Sequence, residues 1–113
     1  MKDESIERVI VNNITIDLLA GKDARKIQED LSNKSIKFYK SLKDKGVDVD
    51  ILMSNIDNIE PNLIRWKIMY VKECCDQINI LNWVIKNRTK FAKLSDYQLY
   101  SLYKFGDKFR KKK

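Results

Sequence analysis

Lys34, Lys37, Lys40 and Ser41 are the residues of this chain whose types and spacing suit a chemical task. They fall on one side of a helix predicted over residues 34–45, with Lys34 at the edge of that side. Phe38, Tyr39 and Leu42 fall on the other side, so the helix is apolar inward and cationic outward. Ile36 lies near the polar side, where burial does not explain it. Lysine ammonium groups hold phosphate as point charges. Ser35 belongs to the same helix as a candidate contact. Lys22, Arg25 and Lys26, at the start of the preceding segment, offer a second grip assisted by a helix N-terminus. The task suggested is phosphate binding rather than catalysis. The chain has no histidine, and no tuned acid, base or nucleophile is evident in the pattern.

A second cationic cluster holds Lys86, Arg88, Lys90, Lys93, Lys104, Lys108, Arg110, Lys111, Lys112 and Lys113, opposed only by Asp96 and Asp107. Tyr97, Tyr100, Tyr103 and Phe105 lie among these cations. Cations interleaved with aromatics can hold a single nucleic-acid strand by stacking. The competing expectation is that the rings are core and that Arg110 and Lys111 in the tail contact phosphate.

The acidic stretch with Asp48, Asp50, Asp57 and Glu60 is irregularly spaced and reads as a solvated connector. Cys74 and Cys75 are neighbours, so a disulfide between them is not expected. They read as core thiols of a reducing compartment. Neither a metal nor a cofactor is expected. The segment MKDESIERVI is too polar for a secretory signal, and no run reaches transmembrane length. A cytoplasmic protein without a membrane partner is the expectation.

With 113 residues, the chain is one small domain or two short helical halves sharing a core. Hydrophobic residues at 43% exclude a disordered chain. The net charge of +7 favours a polyanionic partner, although a lysine-rich composition alone could supply it.

The elements that must position the lysines follow from periodicity. Ser5 caps a first helix to Ala20, with Ile6, Ile10, Ile14 and Leu18 on one stripe. The β-branched residues between Val9 and Ile16 leave a strand open as an alternative. Gly21 stops this segment, a second helix spans Asp23 to Leu31, and Gly46 ends the third. Pro61 suits the first turn of a long helix reaching about Arg88. Ile64, Ile68, Val71, Cys75, Ile78, Asn82 and Ile85 step through it as a heptad seam. Leu63, Trp66, Tyr70, Cys74, Leu81 and Val84 form a stripe beside it. Such a width calls for a bundle core or a partner chain. Asn82 either fixes the register of an oligomer or marks where the seam frays. Ser95 and Gln98 fit a capping box that starts the last helix, and Gly106 ends it.

The stretch from Leu19 to Leu42 resembles the homeodomain-like helix-turn-helix of phage small terminase subunits, resolvases and transposases. Leu19, Gly21, Ile27 and Leu31 match its apolar and glycine positions. Ser32-Asn33-Lys34 stands as the turn, and Phe38 and Leu42 as the core of the recognition helix. Asn33 replaces a usual aliphatic residue, and Gln28 a usual small one. The resemblance implies that Lys34, Ser35, Lys37, Lys40 and Ser41 face duplex DNA, with weak sequence preference and strong salt dependence.

The expected fold is all-α. Residues 1–46 form a three-helix helix-turn-helix unit, residues 47–60 an acidic connector, and residues 61–113 a helical hairpin with a basic tail. The expected function is non-enzymatic DNA binding by a homo-oligomer joined through Ile64, Ile68, Val71, Ile78, Asn82 and Ile85. Two alternatives stand beside it. One is a basic helical protein docking an acidic protein partner through the face from Leu63 to Val84. The other is a single-strand binder using the C-terminal half.

Overall fold

Helices make up the regular structure, with no strand among the described residues. A computed structural model describes residues 3–105, with side chains over 6–104. Arg110 and Lys111 lie outside the described residues. The helices are α1 (Asp3–Leu19), α2 (Ala24–Asp44), α3 (Val49–Ser54), α4 (Leu63–Lys86) and α5 (Asp96–Phe105). A 3₁₀ turn at Ile56–Asn58 follows α3. The strand alternative for residues 9–16 is set aside, because their backbone is helical throughout.

Local chemistry accounts for most of the boundaries. Asp23 caps α2 by accepting from the Arg25 amide at 2.9 Å. Asp48 and Asn62 cap α3 and α4 in the same way. Pro61 therefore sits outside α4, one residue before its cap, rather than in its first turn. Ser95 and Gln98 form the expected reciprocal box: the Gln98 amide donates to Ser95 Oγ, and the Ser95 amide to Gln98 Oε1. Gly21 and Gly46 have φ of 91° and 81°. Each closes a Schellman motif, in which the amide of the next residue reaches back to Asp17 O or Leu42 O. Both are stops that a Cβ would strain.

The turn expected at Ser32-Asn33-Lys34 is absent. Helix α2 is one uninterrupted run of 21 residues, so residues 1–46 hold two helices rather than three. The reason is packing. Ile27, Leu31, Ser35 and Leu42 keep a helical spacing straight through the polar stretch and stay buried along it. Nothing in Ser32-Asn33-Lys34 breaks a helix. The Ser35 hydroxyl donates to Ser32 O at 3.0 Å, a bond within the helix.

Helix α4 is the axis of the molecule. Its buried residues are Ile68, Val71, Cys74, Gln77, Leu81 and Val84, and α1, α2, α3 and α5 all pack on it. Helix α2 runs antiparallel to it: Gln28 lies beside Ile78 and Asn82, and Phe38 beside Trp66 and Tyr70. The core has two parts. Ile6, Ile10, Ile14, Leu18, Ala24, Ile27 and Leu31 meet Cys74, Leu81, Val84, Leu99 and Tyr100 in the first. Leu42, Val49 and Ile68 form the second, beneath α3. The first cluster draws on both ends of the chain, so the two halves share a core. The connector contributes Val49 to burial rather than lying wholly in solvent.

A proline at residue 33 tests the continuity of α2. Asn33→Pro removes an intrahelical hydrogen bond and clashes with the preceding turn, at a cost of about 3 kcal/mol or more. The expected result is a large fall in the denaturant midpoint. A midpoint equal to that of the unsubstituted chain means that residues 32–34 are a turn after all.

Candidate nucleic-acid interface

The structure splits the expected lysine face into three groups. At the start of α2, Lys22 is held by Asp30 at 3.0 Å and lies 3.8 Å from Asp17. Lys26 pairs with Glu29 at 3.3 Å. Arg25 is exposed next to them. Further along, Lys34, Lys37 and Lys40 are exposed and have no ion pair among the described residues. Ser35 departs from its expected role: it is only 8% exposed and cannot face a ligand. Its position lies in line with Leu31 and Leu42, on the side packed against α4.

Lys34, Lys37 and Ser41 line an open groove of about 470 Å³ between α2 and α4. The other lining residues are Phe38, Trp66, Lys67 and Tyr70, and no carboxylate is among them. Lys40 stands farther round α2, outside the groove. The three rings form a compact triangle. Phe38 meets Trp66 edge-on at 5.9 Å and Tyr70 at 4.9 Å between centroids. Trp66 and Tyr70 lie 5.4 Å apart and 32° from parallel. The Lys67 Nζ sits 6.0 Å over the Phe38 ring. All three rings are half-buried, and burial raises the pKa of the Tyr70 phenol. Ile36 is exposed on the outer side of α2, and no contact explains it.

The expected oligomer seam is used inside the protomer. Ile68 and Val71 are buried in it, and Ile64, Ile78 and Ile85 are half-buried against its clusters. Asn82 is exposed and accepts from the Gln28 amide, which also donates to Ile78 O at 3.2 Å. At Ile78 and Asn82 the seam therefore meets Gln28 of α2. Cys75, expected in the seam, is exposed, whereas burial pushes the Cys74 thiol up to about 12. Of the face expected to dock an acidic protein, Cys74, Leu81 and Val84 are core, Trp66 and Tyr70 are half-buried, and Leu63 is exposed. Sequence reasoning missed Gln77, which is 1% exposed and accepts from the Tyr100 hydroxyl at 2.6 Å. Its signal was a polar residue at a core spacing between Cys74 and Leu81.

In the basic aromatic cluster of the C-terminal half, Arg88 and Lys104 are held by carboxylates, whereas Lys86, Lys90 and Lys93 are exposed. Tyr100 is buried, and Tyr103 packs on Trp83 at 5.2 Å. Lys104 reaches Glu7 at 3.1 Å. Arg88 holds Asp96 through two nitrogens, at 2.6 and 3.0 Å, and Asp23 at 2.8 Å. No group of acidic, cysteine or histidine side chains among the described residues could hold a metal ion. No helix among them is long and apolar enough to cross a membrane.

Comparison with models of protein families, with curated proteins and with solved structures finds no match to the chain.

Two carboxyls of this region carry a pH dependence. The Arg88 guanidinium holds the Asp23 carboxyl below the usual carboxylate range, and the Lys22 ammonium does the same for Asp30. A depressed folded pKa gives stability that is present above the unfolded value of about 3.9 and lost as pH falls through the folded value. Melting followed by circular dichroism is expected to fall steeply below about pH 4. Asp23→Asn keeps the cap and loses the charge, so its acid fall is expected to be shallower. Parallel acid limbs for the two proteins would show that the Arg88 contact contributes nothing.

Proposed function

We propose that this chain is a non-enzymatic DNA-binding protein that holds phosphates with Lys34, Lys37 and Lys40 of α2, joined by Lys67 of α4. One observation carries this reading. Lys34, Lys37 and Lys67 gather at one groove, with Lys40 farther round α2, and none of the four is in an ion pair among the described residues, whereas Lys22, Lys26, Lys72, Arg88 and Lys104 are each held by an acidic side chain. Competition from a paired carboxylate weakens a phosphate contact, and none of these four lysines is in an ion pair among the described residues, although Asp30 lies one turn before Lys34. Arginine, the better reader of base edges, is missing from this part of α2. Contact through lysine positions the protein on the backbone and gives little sequence preference. The proposal does not depend on a helix-turn-helix: it needs one helix face and one lysine from its neighbour.

The proposal extends to self-association through the outer face of α1. Val9, Ile16 and Leu19 are 56%, 63% and 63% exposed. With Asn12 they step by three, four and three, which is a seam two copies of α1 can share. A dimer doubles the number of phosphates one complex can hold.

Two measurements test these statements. Affinity for labelled duplex DNA of mixed sequence is expected to fall with salt at a logarithmic slope of roughly −3 for the three or four phosphates held by one protomer, and about twice that for the dimer. Lys34→Glu with Lys37→Glu is expected to abolish binding, whereas Lys26→Gln leaves it nearly unchanged. Equal losses from both variants would mean that diffuse charge, not this face, does the binding. Light scattering is expected to give a dimer for the unsubstituted chain and a monomer for Ile16→Glu. A monomeric unsubstituted chain removes the α1 interface.

A further inference from the structure

The Phe38, Trp66 and Tyr70 triangle packs α2 on α4 and keeps part of its surface open. Phe38 belongs to neither core cluster. Leu31, seven residues before it, belongs to the first, and Leu42, four residues after it, to the second. The ring therefore fills the gap between the two cores and leaves one side open to the groove. Three half-exposed rings within 6 Å of one another make an aromatic surface on which another flat ring can stack. Lys34, Lys37 and Lys67 rim that surface, and the Ser41 hydroxyl adds a polar group. Apolar stacking area ringed by cations, without a carboxylate, is complementary to one class of ligand: a flat base carried on a phosphate backbone.

We infer that this groove receives an unpaired base of single-stranded DNA, so that the protein holds a single strand more tightly than a duplex. The inference rests on the proposed DNA-binding function and deepens it by naming the form of DNA. The lysines hold the phosphates on either side of the stacked base. A duplex engages the same lysines but keeps its bases paired and away from the rings. Stacking does not distinguish one base from another, because every base has a π face. The groove is open rather than enclosed, so a base enters without any helix moving.

The test compares three probes of equal length on the full chain at one low salt concentration, the two single strands being matched in charge. They are an oligothymidylate, the corresponding duplex, and a strand in which the central nucleotides lack bases. The expected result is tightest binding to the oligothymidylate, with loss of the central bases weakening it by about 5- to 100-fold, the range of one stacked base. Trp66→Ala and Phe38→Leu are each expected to reduce the oligothymidylate affinity and to leave the duplex affinity unchanged. The abasic comparison needs no variant, so it stands even if Trp66→Ala fails to fold. Equal binding of the strands with and without bases overturns the inference and means that the groove holds something other than a base. If Lys34→Glu with Lys37→Glu still abolishes binding in that case, the phosphate contact survives alone. Failure of all three probes to bind overturns the inference and the proposed function together.

Discussion

The antiparallel pairing of α2 with α4 is the constraint on which the other elements depend. Helix α2 has to stay straight for its whole length because its apolar row must reach both core clusters. Ile27 and Leu31 serve the first and Leu42 the second. A break at residues 32–34 would turn one of these groups away from α4 and expose it. Packing of this kind outweighs the weak preference of Ser and Asn for turns, which is a few tenths of a kcal/mol to about 0.7 per residue. Leaving a buried leucine in solvent costs more, about 1.5 to 3 kcal/mol. The pairing also sets the binding face. Once α2 is one helix lying on α4, Lys34, Lys37 and Ser41 stand at the edge beside Trp66, Lys67 and Tyr70.

A small chain closes such a core by tying its last helix down. Tyr100 brings α5 onto α4 through a buried hydroxyl, and Gln77 accepts it while donating to Glu73 at 2.8 Å. Both partners are buried, so losing either would leave a polar atom without water or protein to bond. Arg88 acts just past the C-terminus of α4. It joins the cap of α2 to the first turn of α5, and three helix ends meet at one guanidinium. Arginine suits this place because its planar fork reaches two carboxylates at fixed angles.

Much of the fold was legible because local signals and packing agreed. The stripe from Ile6 to Leu18, the stops at Gly21 and Gly46, and the capping box at Ser95 all hold at residue level. The errors share a physical origin. Ser32-Asn33-Lys34 looked like a turn because its side chains are polar, yet a polar outer face is what a surface helix requires. The heptad seam on α4 pointed outward because its period was read without knowing that α2 lies along it. A helix covered on several sides buries residues at a drifting 3.6 spacing, so Gln77 is inside whereas Cys75 and Asn82 are outside. The rings of the candidate site were individually visible in the sequence, but not as a group. Phe38 and Trp66 are distant in sequence, and only the direction of α2 relative to α4 brings them together.

The position of the candidate site also follows from how the two clusters divide the core. A helix as long as α2 cannot be covered along its whole length by the short α3 and by α1 together. Between Leu31 and Leu42 the buried position of α2 is Ser35, and Phe38 is half-buried against Trp66 and Tyr70 of α4. Large rings fill that gap better than aliphatic side chains, because each covers more surface with few rotatable bonds. Rings at the rim of a core retain an exposed side, and lysines can lay their stems along it while keeping the ammonium in water. Lys67 does this over Phe38. The packing that completes the fold therefore leaves an aromatic surface under a cationic rim, in a groove lined by no carboxylate. Stability and ligand affinity draw on the same rings here, which is why a probe that changes the DNA separates the two more cleanly than one that changes the protein.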